Sequence, residues 1–182
     1  MKKKISIIII LILGIILSGC GKKLTAREAV RDYLEMYVTL DSKVVEQLNE
    51  FVDKEDLDDE QKKMYKEVLK KEYSTLTYTL EDETYDGDRA YVKAKIKVMN
   101  LNKVQKDALD YFDEHKEEFN DEAGKYDKGK FLTYKLSRMK EATETITYEI
   151  EFKVDKNDGR WEVVQLSNED LEKIHGIYEY EE

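Results

Sequence analysis

Few side chains in this sequence have the type and spacing to do chemistry. Cys20 is the only cysteine in 182 residues, and it closes a run from Ile5 to Leu17 that is apolar apart from Ser6 and Gly14. A chain with one thiol forms no internal disulfide, so the thiol is expected to serve as an attachment point. The two histidines are His115 and His175. His115 lies on the apolar face of a helical stretch, where a satisfied residue at the edge of the core is expected rather than a general base. His175 lies in the last turn of a helix, where a cation is favoured by the helix dipole. No Ser-His-Asp or Cys-His set can be assembled from these residues, so the catalytic residues are expected to be none.

Lys2, Lys3 and Lys4 precede the apolar run, which spans only about 20 Å as a helix against about 30 Å of bilayer hydrocarbon. Small residues close it, so it reads as an export signal rather than a membrane span. Leu17-Ser18-Gly19-Cys20 resembles the bacterial lipobox. That resemblance implies a diacylglyceryl group on the Cys20 thiol and cleavage by a signal peptidase between Gly19 and Cys20. Two acyl chains suffice for stable attachment where one is marginal. The expected organisation is a signal peptide at 1–19, a lipidated tether at 20–24, one domain at 25–178 and a frayed acidic tail at 179–182. The membrane partner is reached through Cys20, on the extracytoplasmic face.

Removing residues 1–19 takes away three lysines, leaving 28 basic against 41 acidic side chains and a net charge of −13. Nucleic acid needs a positive stripe and is excluded as a partner on that ground. Acidity of this kind is a solubility device, and it keeps the body off anionic lipid.

Acidic runs raise the question of calcium. Asp155-Lys156-Asn157-Asp158-Gly159 looks superficially like a calcium loop, but its glycine is one place early and Leu166 stands where a bidentate Glu is needed. A hairpin turn explains it better, and no metal or cofactor is expected. The thirteen tyrosines are more informative. Tyr78, Tyr148 and Trp161 are placed on the inner face of a sheet, where Ala90 and Ala94 leave room. Aromatics beside small residues could line an apolar ligand pocket, here Tyr78, Ala94, Tyr148 and Trp161. The plainer alternative is that they fill the core, each buried hydroxyl finding a partner.

The elements that would position these residues follow from periodicity. Thr25-Ala26-Arg27-Glu28 fits a capping box ahead of a helical stripe of Ala26, Val30, Tyr33 and Tyr37. Val44, Val45, Leu48, Phe51 and Val52 mark a second helix. Asp58 to Gln61 starts a third, with Met64, Val68 and Leu69 inward. The period then drops to 2: Leu76, Tyr78 and Leu80 alternate with threonines, and Ala90 to Val98 alternate with lysines across the turn Asp86-Gly87-Asp88. Residues 101–142 interrupt the strands, with one amphipathic helix carrying Leu101, Val104, Ala108, Phe112, His115 and Phe119, then a loop, then a helix carrying Leu132, Leu136 and Met139. The strand period returns from Ile146 to Val154, and Asn157-Asp158-Gly159 turns the chain toward Trp161 and Val163. A last helix ends near His175-Gly176.

This order predicts an α+β fold: a curved four-stranded antiparallel sheet, with N-terminal helices and a helical insertion packed on its apolar face. At that level the chain resembles the nuclear transport factor 2-like (cystatin-like) superfamily, especially its small lipoproteins of unknown function from Gram-positive bacteria. The resemblance runs over roughly 25–176. It rests on the opening helix Ala26–Leu40, the hairpin at Asp86-Gly87-Asp88, and Asp158-Gly159-Arg160-Trp161 followed by Asn168 to Gly176. It implies a cone-like sheet wrapped on a long helix and often enclosing a pocket. Enzymes of this fold place an Asp or His inside the cone, whereas the apolar strand positions here carry neither. The reading is therefore a non-enzymatic, membrane-anchored extracytoplasmic domain that binds a protein partner or a small apolar ligand. Two further readings are an isomerase- or dehydratase-like enzyme and an immunity or exclusion factor.

Overall fold

The computed structural model describes residues 25–179; the expected signal peptide, Gly19, Cys20 and the tether lie outside them, as do residues 180–182. The chain begins with three helices, α1 (Ala26–Val38), α2 (Ser42–Asp53) and α3 (Asp59–Thr75). Strands β1 (Thr77–Asp86) and β2 (Arg89–Met99) follow, then the insertion of α4 (Leu101–Glu114), a 3-10 turn (Lys116–Phe119) and α5 (Lys128–Glu141). Strands β3 (Thr145–Asn157) and β4 (Arg160–Val163) and helix α6 (Asn168–Ile174) complete it. The four strands form one open antiparallel sheet in the order β1-β2-β3-β4; α1, α3 and α6 pack against it, and the insertion is carried on α3. The α+β architecture expected from the sequence is the one observed.

Local sequence accounts for most boundaries. The Thr25 hydroxyl accepts from the Glu28 amide at 3.1 Å, and Glu28 accepts from the Thr25 amide at 2.8 Å, which is the capping box in full. Leu40 takes a left-handed φ of 53° just past α1, with its amide donating to Tyr37 and the Asp41 amide donating to Met36. A glycine normally fills such a position, and here the leucine's packing on the core offsets the strain. Asp41 then caps α2 by accepting from the Lys43 amide at 2.9 Å. Each hairpin turn has the left-handed residues it needs: Gly87 alone between β1 and β2, Asp158 and Gly159 together between β3 and β4.

The sheet's inner face is closed by α1. Ala90, Val92, Ala94, Ile96 and Val98 of β2 and Tyr148, Ile150, Phe152 and Val154 of β3 are all buried, while Lys93, Lys95 and Lys97 face solvent. One extra residue in β1, between Leu80 and Glu83, breaks its register with β2. The Arg27 guanidinium donates to the Leu80 carbonyl at 2.6 Å and also to that of Glu81, so carbonyls at this bulge are satisfied from α1.

Three details differ from the sequence expectation. The helix expected through Phe119 ends at Glu114, and His115 leads into the 3-10 turn. That break swings Phe119 back onto Phe112 and Phe131, with ring centroids 5.5 and 5.6 Å apart, so aromatic packing overrides the helical period. On α3 the fully inward residue is Tyr65 rather than Met64, which is only half-buried. Glu179, expected in the frayed tail, forms an ion pair with Lys106.

Helix α6 ends as α1 does, with the Gly176 amide donating to Lys173 and the Ile177 amide to Glu172. Gly176 has a φ of 64°, and a Cβ there would sit 2.0 Å from the Met99 carbonyl oxygen. No side-chain rotation relieves a clash with backbone. Gly176→Ala is expected to destabilise the fold by about 3 kcal/mol or more, beyond the roughly 1–2 kcal/mol of left-handed strain alone. Gly124→Ala, also at positive φ but with open space around it, supplies the strain-only control in urea denaturation.

Candidate functional site

Helix α5 carries a stripe of Phe131, Leu132, Leu136 and Met139, and Lys135 falls inside it, all five being buried. The stripe packs toward α3, where three side chains fix its register. The Gln61 amide donates to the Gly129 carbonyl at 2.9 Å and to Thr133 Oγ1 at 3.0 Å. Lys71 Nζ donates to the carbonyls of Lys140 and Ala142, each at 2.8 Å, and Lys140 pairs with Glu67. The same Gln61 closes the α3 capping box with Asp58, so one side chain both starts α3 and holds the insertion on it.

A cleft opens where the insertion meets the segment joining α2 to α3. It has a volume of about 150 Å³ and is lined by Leu57, Leu109, Phe131 and Leu132, with Gln105 and Tyr126 alongside. An adjoining recess of about 30 Å³ reaches Tyr65, Leu136 and Met139. Leu109 and Tyr126 are 43 % and 45 % exposed, which leaves an apolar rim open to solvent. Across the mouth Lys128 Nζ meets the Asp56 carboxylate at 2.8 Å, and that bond holds the Asp56 carboxyl below its usual range. Both partners are largely exposed, so the strap is energetically weak.

Lys135 supplies the cleft's unpaired charge. The residue is 8 % exposed, and its ammonium has no acceptor within hydrogen-bonding or ion-pair distance among the described residues. Burial pushes its pKa below the ordinary lysine value, and the Glu55 carboxylate on the same cleft opposes that push without forming an ion pair. The stem is buried among apolar side chains while the ammonium, free of any protein acceptor, reaches the cleft.

The residues expected to line a pocket are placed otherwise. Tyr148 and Ala94 are buried in the core between sheet and helices, and the Tyr148 hydroxyl donates to the Tyr178 carbonyl at 2.8 Å. Tyr78 is half-buried at one end of the sheet and donates to Glu35 at 2.6 Å. Trp161 is near the far hairpin, edge-on to Tyr85 at 5.4 Å with Lys156 over its ring. Register sets Tyr78 and Tyr148 on either side of Ile96, but Trp161 pairs with Lys156 and is remote from both. None of the four lines the cleft. His115 Nδ1 donates to the Tyr111 carbonyl at 3.0 Å, and its ring stacks on the Tyr111 ring with centroids 4.0 Å apart.

A second polar group lies deep in the core. Glu72 is fully buried on the inner stripe of α3, and neither carboxyl oxygen meets a hydrogen-bond partner. Burial raises its pKa to about 8, against the opposing pull of the Met99 backbone and of Lys71. His175 is 1 % exposed with both ring nitrogens unpartnered, and burial lowers its pKa to about 4. The expected cation at the end of α6 is therefore a neutral imidazole: its ring packs against Tyr73 at 5.5 Å instead of facing water. Perturbed acid–base groups of this sort mark active sites when a substrate can reach them. Here neither residue is exposed or lines the cleft. Among the described residues no three His, Cys, Asp or Glu side chains converge as metal ligands do.

Sequence periodicity could have found both missed residues. Lys135 is three places after Leu132 and four before Met139, and Glu72 is four after Val68. Each is a charge written into an apolar stripe.

Fold and cleft together define an α+β domain with a small amphipathic cleft. No family model matches the chain, and no curated protein sequence does. A solved structure is similar: the crystal structure of a candidate lipoprotein, ycdA, from Bacillus subtilis subsp. subtilis strain 168. The two align with a TM-score of 0.52 at 13 % identity, over 87 % of this chain and 57 % of that one. At that identity the likeness concerns the fold, and this chain spans little more than half the length of the other. No helix among the described residues is long and apolar enough to cross a membrane.

Glu72 makes stability depend on pH with a definite sign. Between about 4.5, its unfolded value, and about 8 the folded chain retains a proton that the unfolded chain has lost, so stability falls as pH rises through that interval. His175 acts oppositely but only between about 4 and 6.5, where the unfolded chain binds the extra proton. Wild type is thus expected to lose about 2 kcal/mol between pH 6.5 and 8.5, and Glu72→Gln, neutral throughout, less than half of that. Urea denaturation across that range reads both slopes; parallel curves would show that Glu72 is not the source.

Proposed function

We propose that this chain is a lipid-anchored extracytoplasmic domain that binds a partner or ligand at the cell membrane and performs no chemistry. The observation that carries the reading is Leu17-Ser18-Gly19-Cys20, placed behind a basic start and a 13-residue apolar run. The residue capping the first helix, Thr25, follows Cys20 by five positions, so a tether from an acylated Cys20 reaches at most about 17 Å. The fold likeness to a candidate lipoprotein is compatible with this and supports it weakly. A binding role is favoured over catalysis because the acid–base groups with perturbed behaviour, Glu72 and His175, are enclosed in the core. Beyond the Lys128–Asp56 pair, the cleft offers one unpaired cation, one amide and an apolar floor, which can hold and orient a ligand. The resemblance to nuclear transport factor 2-like lipoproteins points the same way.

The anchor is tested in cells fed an alkyne-bearing fatty acid. Wild type is expected to take up label and sediment with membranes, whereas Cys20→Ala takes up none and is released or mislocalised. Label on Cys20→Ala, or wild-type protein that retains Met1 and a free thiol at Cys20, would refute the assignment.

A further inference from the structure

We propose that the cleft between the insertion and the α2–α3 segment is a binding site for a small monocarboxylate with an apolar body of about one aromatic ring. The proposal rests on the binding-domain reading above but is independent of the lipid anchor. Three features carry it. Lys135 lines the cleft beside Leu57, Phe131 and Leu132, with its stem largely buried and its ammonium without a protein acceptor among the described residues. An apolar group laid on those side chains would put an attached carboxylate beside the ammonium, where a charge-assisted hydrogen bond pairs the two ions. Gln105 lines the same space and adds an amide donor.

Size limits the body. A cavity of about 150 Å³ takes a benzene-sized group, well short of the volume that encloses a cofactor or a long acyl chain. Charge limits the head. Glu55 and Asp56 stand on the same cleft as Lys135 and Lys128, so the formal charges of its lining balance. One negative charge can be matched by Lys135, since Lys128 is already engaged by Asp56. A dianion such as phosphate would meet Glu55 uncompensated. Glu55 is also the competitor for Lys135: the ligand's carboxylate must displace its long-range attraction. Removing that charge should therefore strengthen binding.

The test uses the full chain in phospholipid nanodiscs, with empty nanodiscs as the blank, titrated by calorimetry. Phenylacetate, toluene and benzylamine are the probes, sharing a ring but differing in charge. Phenylacetate is expected to bind saturably and at least tenfold tighter than either of the others. Lys135→Met should weaken phenylacetate tenfold or more while leaving toluene unchanged or tighter, and Glu55→Gln should tighten phenylacetate. The methionine replaces an unpaired charge with an apolar chain of similar length, a change that buried sites tolerate. Circular dichroism verifies its fold. Equal binding of toluene and phenylacetate, an unaltered phenylacetate affinity in Lys135→Met, or no saturable phenylacetate binding to wild type would each overturn the proposal. Fatty-acid labelling at Cys20 is unaffected by any of these outcomes, so the two readings fail separately.

Discussion

Two hydrophobic interiors meet across helix α3. On one side Val68, Leu69, Tyr73 and Leu76 close the core shared with α1 and the sheet. On the other, α3 carries α5 through Gln61, Glu67 and Lys71. The insertion beyond it has its own aromatic centre, in which Phe112, Phe119, Phe131 and Tyr134 stand 4.9 to 5.6 Å apart as ring centroids. A helix that must satisfy both sides cannot rotate without exposing one of them. The cleft lies at the seam where the insertion stops following α3 and the α2–α3 segment takes over. Its position is thus a by-product of how the insertion is hung.

That arrangement explains why the inner face of the sheet holds no large space. Tyr33, Tyr37, Tyr73 and Tyr148 are all buried there, with Tyr33 and Phe152 edge-on at 6.0 Å and Tyr37 and Tyr73 at 5.2 Å. Small strand residues such as Ala90 and Ala94 make room for aromatic rings from the helices instead of for a ligand. Burial raises the pKa of the Tyr33 and Tyr37 hydroxyls, which share one contact at 3.3 Å. They behave as core side chains with a polar end that is neutral at ordinary pH.

The sheet and the first three helices were legible because their signals are local. Alternation over Ala90–Val98 and Ile146–Val154, together with glycine at each turn, specifies two hairpins whatever the rest of the chain does. The Thr25 and Asp58 caps were equally readable, since a capping box needs only residues three apart. The end of α4 was not, because what stops the helix is packing of Phe119 on Phe131, a residue twelve places on and in another helix. The four residues read as a pocket were assigned to the correct face of the sheet, but periodicity carries no depth, and depth decides between core and cavity. Lys135 and Glu72 were passed over for the opposite reason. Their neighbours spelled an apolar stripe so clearly that the charge inside it went unread.

Were the chain anchored as proposed, the margins of its sheet would matter. Tethered molecules share a thin layer, and their effective concentration is far above that in free solution. An unpaired outer strand is the usual template by which two sheets fuse. Here β1 is the outer strand, and it presents Glu81, Asp82, Glu83 and Asp86 around a kink whose carbonyls are already taken by Arg27. At the other margin β4 has only four residues to offer. Like charge, a broken repeat and occupied acceptors discourage strand addition, so copies crowded together on such an anchor would remain separate bodies.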